Sequence, residues 1–275
     1  ENIREIGPTI LFFAPRLWEN INRMIQAKIT DTSALRKWIY HLLLPLGYKT
    51  AEYCSSKKGL GLFWRFLYHI AHWVLFRPLR DRVGLSQIRC AYTAGSAVSP
   101  DILNYFQAIG VNIKQLYGGS EQGLVTIHLD GEIKYETSGT PMPGVEVRLS
   151  PEGEILVKGD NIFSGYYKNL EATREKIRDS WYYTGDFGYI DDDRHLVVID
   201  RMEDLKQLKG GRNFSPQFAE IRLRFCPYIK DALVIGSEDK DDVTAIINID
   251  LENVGRWAEA KRVPYTTFTD LSQQT

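Results

Sequence analysis

The chain has 275 residues, 44% hydrophobic and 25% charged, with 34 basic against 35 acidic side chains and a formal net charge of −1. That length suits one large or two modest domains with a real apolar core, and the balanced charge gives no bulk electrostatic basis for nucleic-acid binding. Cys54, Cys90 and Cys226 are scattered and odd in number, which fits reduced thiols better than a disulfide or metal framework; the opening residues carry no signal-peptide pattern.

Apolar residues at Leu17, Ile21, Met24 and Ile25 predict a helix over 17–28. A second helix is predicted over 32–44, with Asp31 or Thr32 as its cap. Residues 60–79 are rich in aromatic side chains. A spanning helix needs about twenty nearly uncharged residues, and Arg65, His69, His72 and Arg77 argue against one here. Two readings stay open: a helix packed over the large domain, or an interfacial helix that touches a membrane. His69 and His72 sit one helical turn apart with no third ligand nearby, so they read as a solvated or hydrogen-bonded pair.

A strand is predicted over 88–93, then a turn through Ala94-Gly95-Ser96-Ala97, then a helix over 101–109 ended by Gly110. The strand 111–116 runs into Tyr117-Gly118-Gly119-Ser120-Glu121, read as a glycine turn at the carboxyl end of a strand, where open α/β sheets place their ligands. An aromatic ring there can stack on a base, a hydroxyl can bond a phosphate oxygen, and a carboxylate can hold a hard cation such as magnesium. Taken alone, Gly-Gly between polar residues is an ordinary turn. From Gly139 onward short alternating runs such as 145–149 and 154–158, separated by Pro and Gly, predict a compact all-β subdomain. Beyond a junction at 201–204, a helix over 216–224, strands over 232–235 and 244–250 and a helix over 253–261 predict a small α+β domain.

Four segments in fixed order carry a resemblance. They are Tyr117-Gly118-Gly119-Ser120-Glu121; Gly153 to Gly159 running on to Phe163-Ser164-Gly165-Tyr166; Trp181-Tyr182-Tyr183-Thr184-Gly185-Asp186; and Ile199-Asp200-Arg201-Met202-Glu203-Asp204, followed by Lys209-Gly210-Gly211-Arg212. Together they resemble the adenylate-forming superfamily of acyl-CoA synthetases, luciferases and peptide-synthetase adenylation domains. The opening Pro8 to Glu19 and the stretches 246–251 and 265–271 look like long-chain acyl-CoA synthetases. The resemblance implies an α/β fold: residues 1–138 as the C-terminal part of the large AMP-binding domain, 139–200 as a small β-barrel subdomain, 201–204 as a hinge and 205–275 as an incomplete mobile α+β domain. The family's Ser/Thr/Gly-rich phosphate loop and its C-terminal lysine are not found in this sequence, so the chain is expected to be an internal piece of a longer enzyme and close to inactive alone.

The same resemblance assigns roles. Ala94, Gly95 and Ser96 would lie along adenine, although the family usually has Gly-Gly-Ala-Pro there and the proline position is Ala97. Tyr117 would stack on the base beside Gly118; its other reading is core packing. Ser120, where the family usually has Thr, would bond a phosphate oxygen, and Glu121 would hold Mg2+; a helix cap and a helix-start carboxylate are the alternatives. Asp186 would accept the two ribose hydroxyls, against an ordinary turn aspartate. Arg201 would reach the ribose or α-phosphate, against an ion pair with Asp200 or Asp204. Glu203 stands at the hinge where Asp or Lys is usual, and Gly210 and Gly211 would pass close to the pantetheine arm of coenzyme A.

The implied chemistry is two-step: a fatty acid carboxylate attacks the α-phosphorus of ATP, giving acyl-AMP and pyrophosphate, and the thiol of coenzyme A then displaces AMP. No Gly-x-Ser-x-Gly elbow or activated cysteine motif competes with it. The implied partners are fatty acid, ATP and coenzyme A in the cytoplasm, with peripheral contact at the inner membrane face through 60–79 as an open alternative. A carrier-protein or aryl-acid ligase, and a noncatalytic lipid-binding scaffold, are the rival functions; oligomeric state is not legible.

Overall fold

The computed structural model describes residues 2–55, 61–95, 98–261, 263–264, 267 and 269–270, with the side chains of Asn2, Cys54, Ser55 and Ala260 excepted. In chain order the first half contains α1 (Asn2–Ile6), β1 (Ile10–Phe13), α2 (Pro15–Thr30), α3 (Ala34–Ser55), α4 (Leu62–Ala71), a π-helical turn (His72–Phe76), α5 (Arg77–Arg82), β2 (Cys90–Thr93), α6 (Pro100–Ala108), β3 (Ile113–Gly119), β4 (Gly123–Ile127) and β5 (Thr140–Pro141). The strands form one five-stranded sheet in the order β1-β2-β3-β4-β5. Its first three strands are parallel and the rest antiparallel.

The helices bury a core of Trp18, Ile25, Phe76, Ile102, Phe106 and Ile109 against that sheet. Trp18 packs edge-on to Phe106, with ring centroids 5.1 Å apart. Gly47 lets α3 cross α6 at backbone distance: a Cβ there would stand 2.4 Å from the Ala108 carbonyl oxygen.

Several expected boundaries are corrected. The helix predicted over 32–44 begins at Ala34 and continues through Pro45 to Ser55. Proline removes a helical N–H, but Pro45 lies on an exposed face, and packing of α3 on α4 and α6 outweighs the lost bond. Asp31 terminates α2 instead of starting α3. The aromatic segment is not one regular helix. Its middle turn is π-helical, and Pro78 has no N–H to offer the carbonyl of Val74. No described helix is long and apolar enough to cross a membrane.

The second half contains β6 (Val145–Leu149), β7 (Glu154–Gly159), α7 (Leu170–Lys176), β8 (Ile177–Arg178), β9 (Trp181–Ile190) and β10 (Leu196–Arg201). They build an antiparallel sheet in the order β10-β9-β7-β6, with β8 on β9. The expected all-β stretch therefore carries one short helix, α7, capped by the Asn169 side chain. A 3₁₀ turn at Met202–Asp204 leads to β11 (Lys206–Gln207), β12 (Asn213–Phe214), α8 (Pro216–Leu223), β13 (Ile229–Ile235), β14 (Thr244–Ile249) and α9 (Leu251–Lys261). Arg256 of α9 reaches back to α2, bonding Asp31 at 2.9 Å.

Candidate functional site

Two sheets meet over one cleft. β2 delivers Gly95 just beyond its carboxyl end, and β3 delivers Tyr117 and Gly118. A register shift between Tyr117 and Gly118 is a bulge that re-aims the side chain before it. From the other sheet, Asp186 on β9 and Arg201 on β10 are directly paired in register. Gly185, at φ +78, turns the strand in a way that side chains resist, and its N–H donates to Glu154 Oε1 at 2.8 Å.

The cleft has a volume of about 300 Å3. Tyr117 donates its hydroxyl to Asp186 Oδ2 at 2.5 Å, and Arg201 Nε lies 3.1 Å from Asp186 Oδ1. Burial pushes the Asp186 carboxyl up, against the opposing pull of Tyr117 and Arg201. Burial and the Asp186 charge push the Tyr117 phenol up as well. The phenol thus keeps its proton and stays the donor in its bond to Asp186. Both Asp186 oxygens are engaged, yet a carboxylate has about four acceptor directions, so two remain for further donors.

Other expected residues lie elsewhere. Gly118 and Gly119 belong to β3, not to a turn; the turn is Ser120 to Gln122, between β3 and β4. Neither a helix cap nor a helix-start role applies to Ser120 or Glu121, and neither lines the cleft. Glu121 accepts from the Tyr166 hydroxyl at 3.3 Å, and its backbone carbonyl accepts the Phe163 N–H at 2.7 Å. One carboxylate suits Mg2+, which is usually bound through one or two carboxylates plus substrate phosphates; among the described residues no cluster of three metal-ligating side chains exists. Ala94 directly precedes Gly95, and Ser96 lies outside the described residues. Gly210 and Gly211 form the exposed β11–β12 turn with open space around them, away from the cleft lining. Glu203 is exposed within the 3₁₀ turn. Arg201 pairs with Asp186 and makes no ion pair with Asp200 or Asp204 among the described residues.

Sequence reasoning missed the layer beneath the cleft. His128 Nδ1 accepts the Gln115 N–H at 3.1 Å, leaving Nε2–H to face the Thr137 hydroxyl at 3.0 Å, and that hydroxyl also meets His195 Nδ1 at 3.0 Å. The Gln115 side chain, which lines the cleft, donates to Ser138 Oγ at 3.2 Å. Burial, reinforced by His195, lowers the His128 pKa to about 4, and burial lowers His195 too. Asp200 also lines the cleft. It accepts the Ser215 hydroxyl and, at 2.9 Å, the Arg201 N–H. No motif in the sequence marks His128 or His195, which stand in separate segments with no shared spacing.

The chain belongs to the AMP-binding enzyme family, whose match covers residues 1–167. It is 31% identical over 253 residues to the long-chain-fatty-acid–CoA ligase FadD15 of Mycobacterium bovis, covering 92% of this chain and 41% of that protein. It is 29% identical to long chain acyl-CoA synthetase 1 of Arabidopsis thaliana, covering 94% and 40%. The chain thus spans about two fifths of the relatives' length. The adenylation domain of a carboxylate reductase from Mycobacterium chelonae shares the fold, with a TM-score of 0.64 at 19% identity over 95% of this chain and 38% of that one. The O-succinylbenzoate coenzyme A synthetase of Bacillus subtilis, in complex with ATP and magnesium ion, superposes with a TM-score of 0.53 at 29% identity, covering 60% and 37%.

Proposed function

We propose that this chain supplies the adenosine-binding part of an ATP-dependent long-chain fatty acid–CoA ligase. The observation that carries the reading is the convergence of Tyr117, Asp186 and Arg201, distant in sequence, on one cleft. The names of the curated relatives support the fatty acid and coenzyme A parts.

Asp186 accepts the ribose hydroxyls through its two remaining acceptor directions. Tyr117, held at its hydroxyl, presents its ring to adenine beside Ala94, Gly95 and Gly118. Arg201 offers a permanent cation to the ribose or α-phosphate. Ser120 and Glu121 reach the phosphates from the hairpin turn once triphosphate extends beyond the cleft. Mg2+ held by Glu121 would neutralise phosphate charge. The fatty acid carboxylate forms its bond to the α-phosphorus as pyrophosphate leaves, and the thiol of coenzyme A then replaces AMP. Positioning and charge stabilisation supply the acceleration, with no side-chain nucleophile. We divide the chain at 138/139 and 200/201, with Glu203 as the pivot of a mobile part that begins at 205 and carries Gly210 and Gly211 toward pantetheine. We assign the enzyme to the cytoplasm, with the outward apolar side chains of α4 touching a membrane surface.

The test is pyrophosphate release by the full-length protein with ATP and palmitate. Asp186→Ala is expected to lower it by about a hundredfold or more, as loss of a preorganised contact made through the transition state does. Near-normal release would remove Asp186 from the site. Palmitate binding without release in the wild-type protein would favour a scaffold, and release with benzoate alone would favour an aryl-acid ligase.

A further inference from the structure

A second cavity, of about 250 Å3, opens between α2, α3, the π turn and α5. It shares no residue with the cleft around Asp186, and none of its walls comes from a strand. Its interior is aliphatic, with Ile25, Ile29 and Leu79 among the walls, while Lys28, Arg36 and Arg82 stand exposed at its edge. No carboxylate lines it. The acids next to it in sequence are already engaged: Asp31 by Arg256 and Asp81 by Ser86. Among the described residues none of the three cations has a carboxylate partner.

Three like charges around one apolar opening repel one another, and the aliphatic walls behind them lose free energy to water. One kind of ligand relieves both: an apolar chain ending in an anion. Small-ligand sites commonly run from about 300 to 1,000 Å3. A volume just below that range suits a single chain. A nucleotide or polyanion would meet the cations but leave the walls wet. The π turn is an independent pointer, since such turns are rare and recur at functional sites, and Val74 within it lines the opening.

We propose that this pocket binds one monomeric single-chain amphiphile with an anionic head, of the long-chain carboxylate class, with its chain among Ile25, Ile29 and Leu79 and its head at Lys28, Arg36 and Arg82. The site stands apart from the nucleotide cleft and does not depend on the ligase reading.

Photolabelling with a diazirine-bearing palmitate below its micelle concentration, followed by peptide mapping, tests it. Labels are expected within 25–40 and 74–83. The matching diazirine-bearing hexadecanol should label those peptides at least about fivefold less, and Arg36→Glu with Arg82→Glu should lower palmitate labelling there by at least about fivefold, a size set by two unpaired surface charges. Both arginines are exposed, so folding should survive; Val74→Trp, which fills the opening from an exposed position, gives a second block. Labelling only at other peptides, equal labelling by the alcohol, or no loss in both variants overturns the proposal. Labelling seen only when the probe is presented in phosphatidylcholine vesicles also overturns it, by assigning this face to a bilayer.

Discussion

The buried pair beneath the cleft makes a quantitative prediction about acid. His128 is 1% exposed and is fixed as the Nε2–H tautomer by the Gln115 N–H that points at Nδ1. Charging the ring would set two N–H groups against each other inside the protein. Its folded pKa is about 4 against 6.5 for the free side chain. The unfolded chain therefore takes up its proton first as pH falls, and stability is full above 6.5 and lost progressively down to about 4. Each unit of difference is about 1.4 kcal/mol, which gives roughly 3 kcal/mol in all and about 2 kcal/mol by pH 5. His128→Asn keeps an acceptor for the Gln115 N–H and removes the proton. Urea unfolding of both proteins at pH 7 and pH 5 isolates the effect from carboxylates that both share. The wild type should lose about 2 kcal/mol more than the variant across that interval. Equal losses would mean that His128 is not held neutral in the fold, and the layer beneath the cleft would have to be drawn differently.

Ser215→Ala should cost about 1–2 kcal/mol in thermal unfolding, because Ser215 both caps α8 through the Phe218 N–H at 2.9 Å and donates to buried Asp200; Ser215→Thr should recover most of it. Gly47→Ala should lower the melting temperature. The helix-propensity gain of at most about 1 kcal/mol is outweighed by overpacking of about 1–3 kcal/mol or more, since the atom met at 2.4 Å is the Ala108 backbone oxygen. Phe63 and Phe66 are 67% and 64% exposed on α4. Phe63→Ser with Phe66→Ser should reduce co-sedimentation with anionic vesicles severalfold, and unchanged sedimentation would discard membrane contact through this helix.

What the sequence disclosed follows from how far each physical cause reaches along the chain. Tyr117, Asp186 and Arg201 were legible because their motifs pair unusual residue types at fixed spacing, and all three line one cleft. The glycines at 118 and 119 were noticed for the wrong cause. Gly118 is not needed for a turn: a Cβ there would stand 2.1 Å from the Gly123 oxygen across the hairpin, so its lack of a side chain serves close strand approach. Gly47 is the same case between helices, and no local pattern marks it. The run of α3 beyond Pro45 and the π turn before Pro78 depend on packing partners that propensity does not weigh. The His128–Thr137–His195 set joins residues of common type from separate segments, so neither spacing nor composition announces it.

Asp200 shows why the unread layer bears on function. Its buried carboxylate receives the Arg201 N–H on one oxygen and the Ser215 hydroxyl on the other. Ser215 in turn holds the first turn of α8. Arg201, whose backbone is thus fixed, reaches Asp186 in the cleft. A continuous series of hydrogen bonds therefore runs from the groups proposed to hold the nucleotide to the helix just beyond the proposed pivot at Glu203. Rotation of the part that carries α8 would have to break the Ser215 bond and leave Asp200 buried with one oxygen unmatched, a cost of about 1–3 kcal/mol. In the proposed pivoting, a cost of that size would shift a two-state equilibrium by roughly five- to 150-fold, so the Ser215–Asp200 contact would weigh against leaving the arrangement seen here.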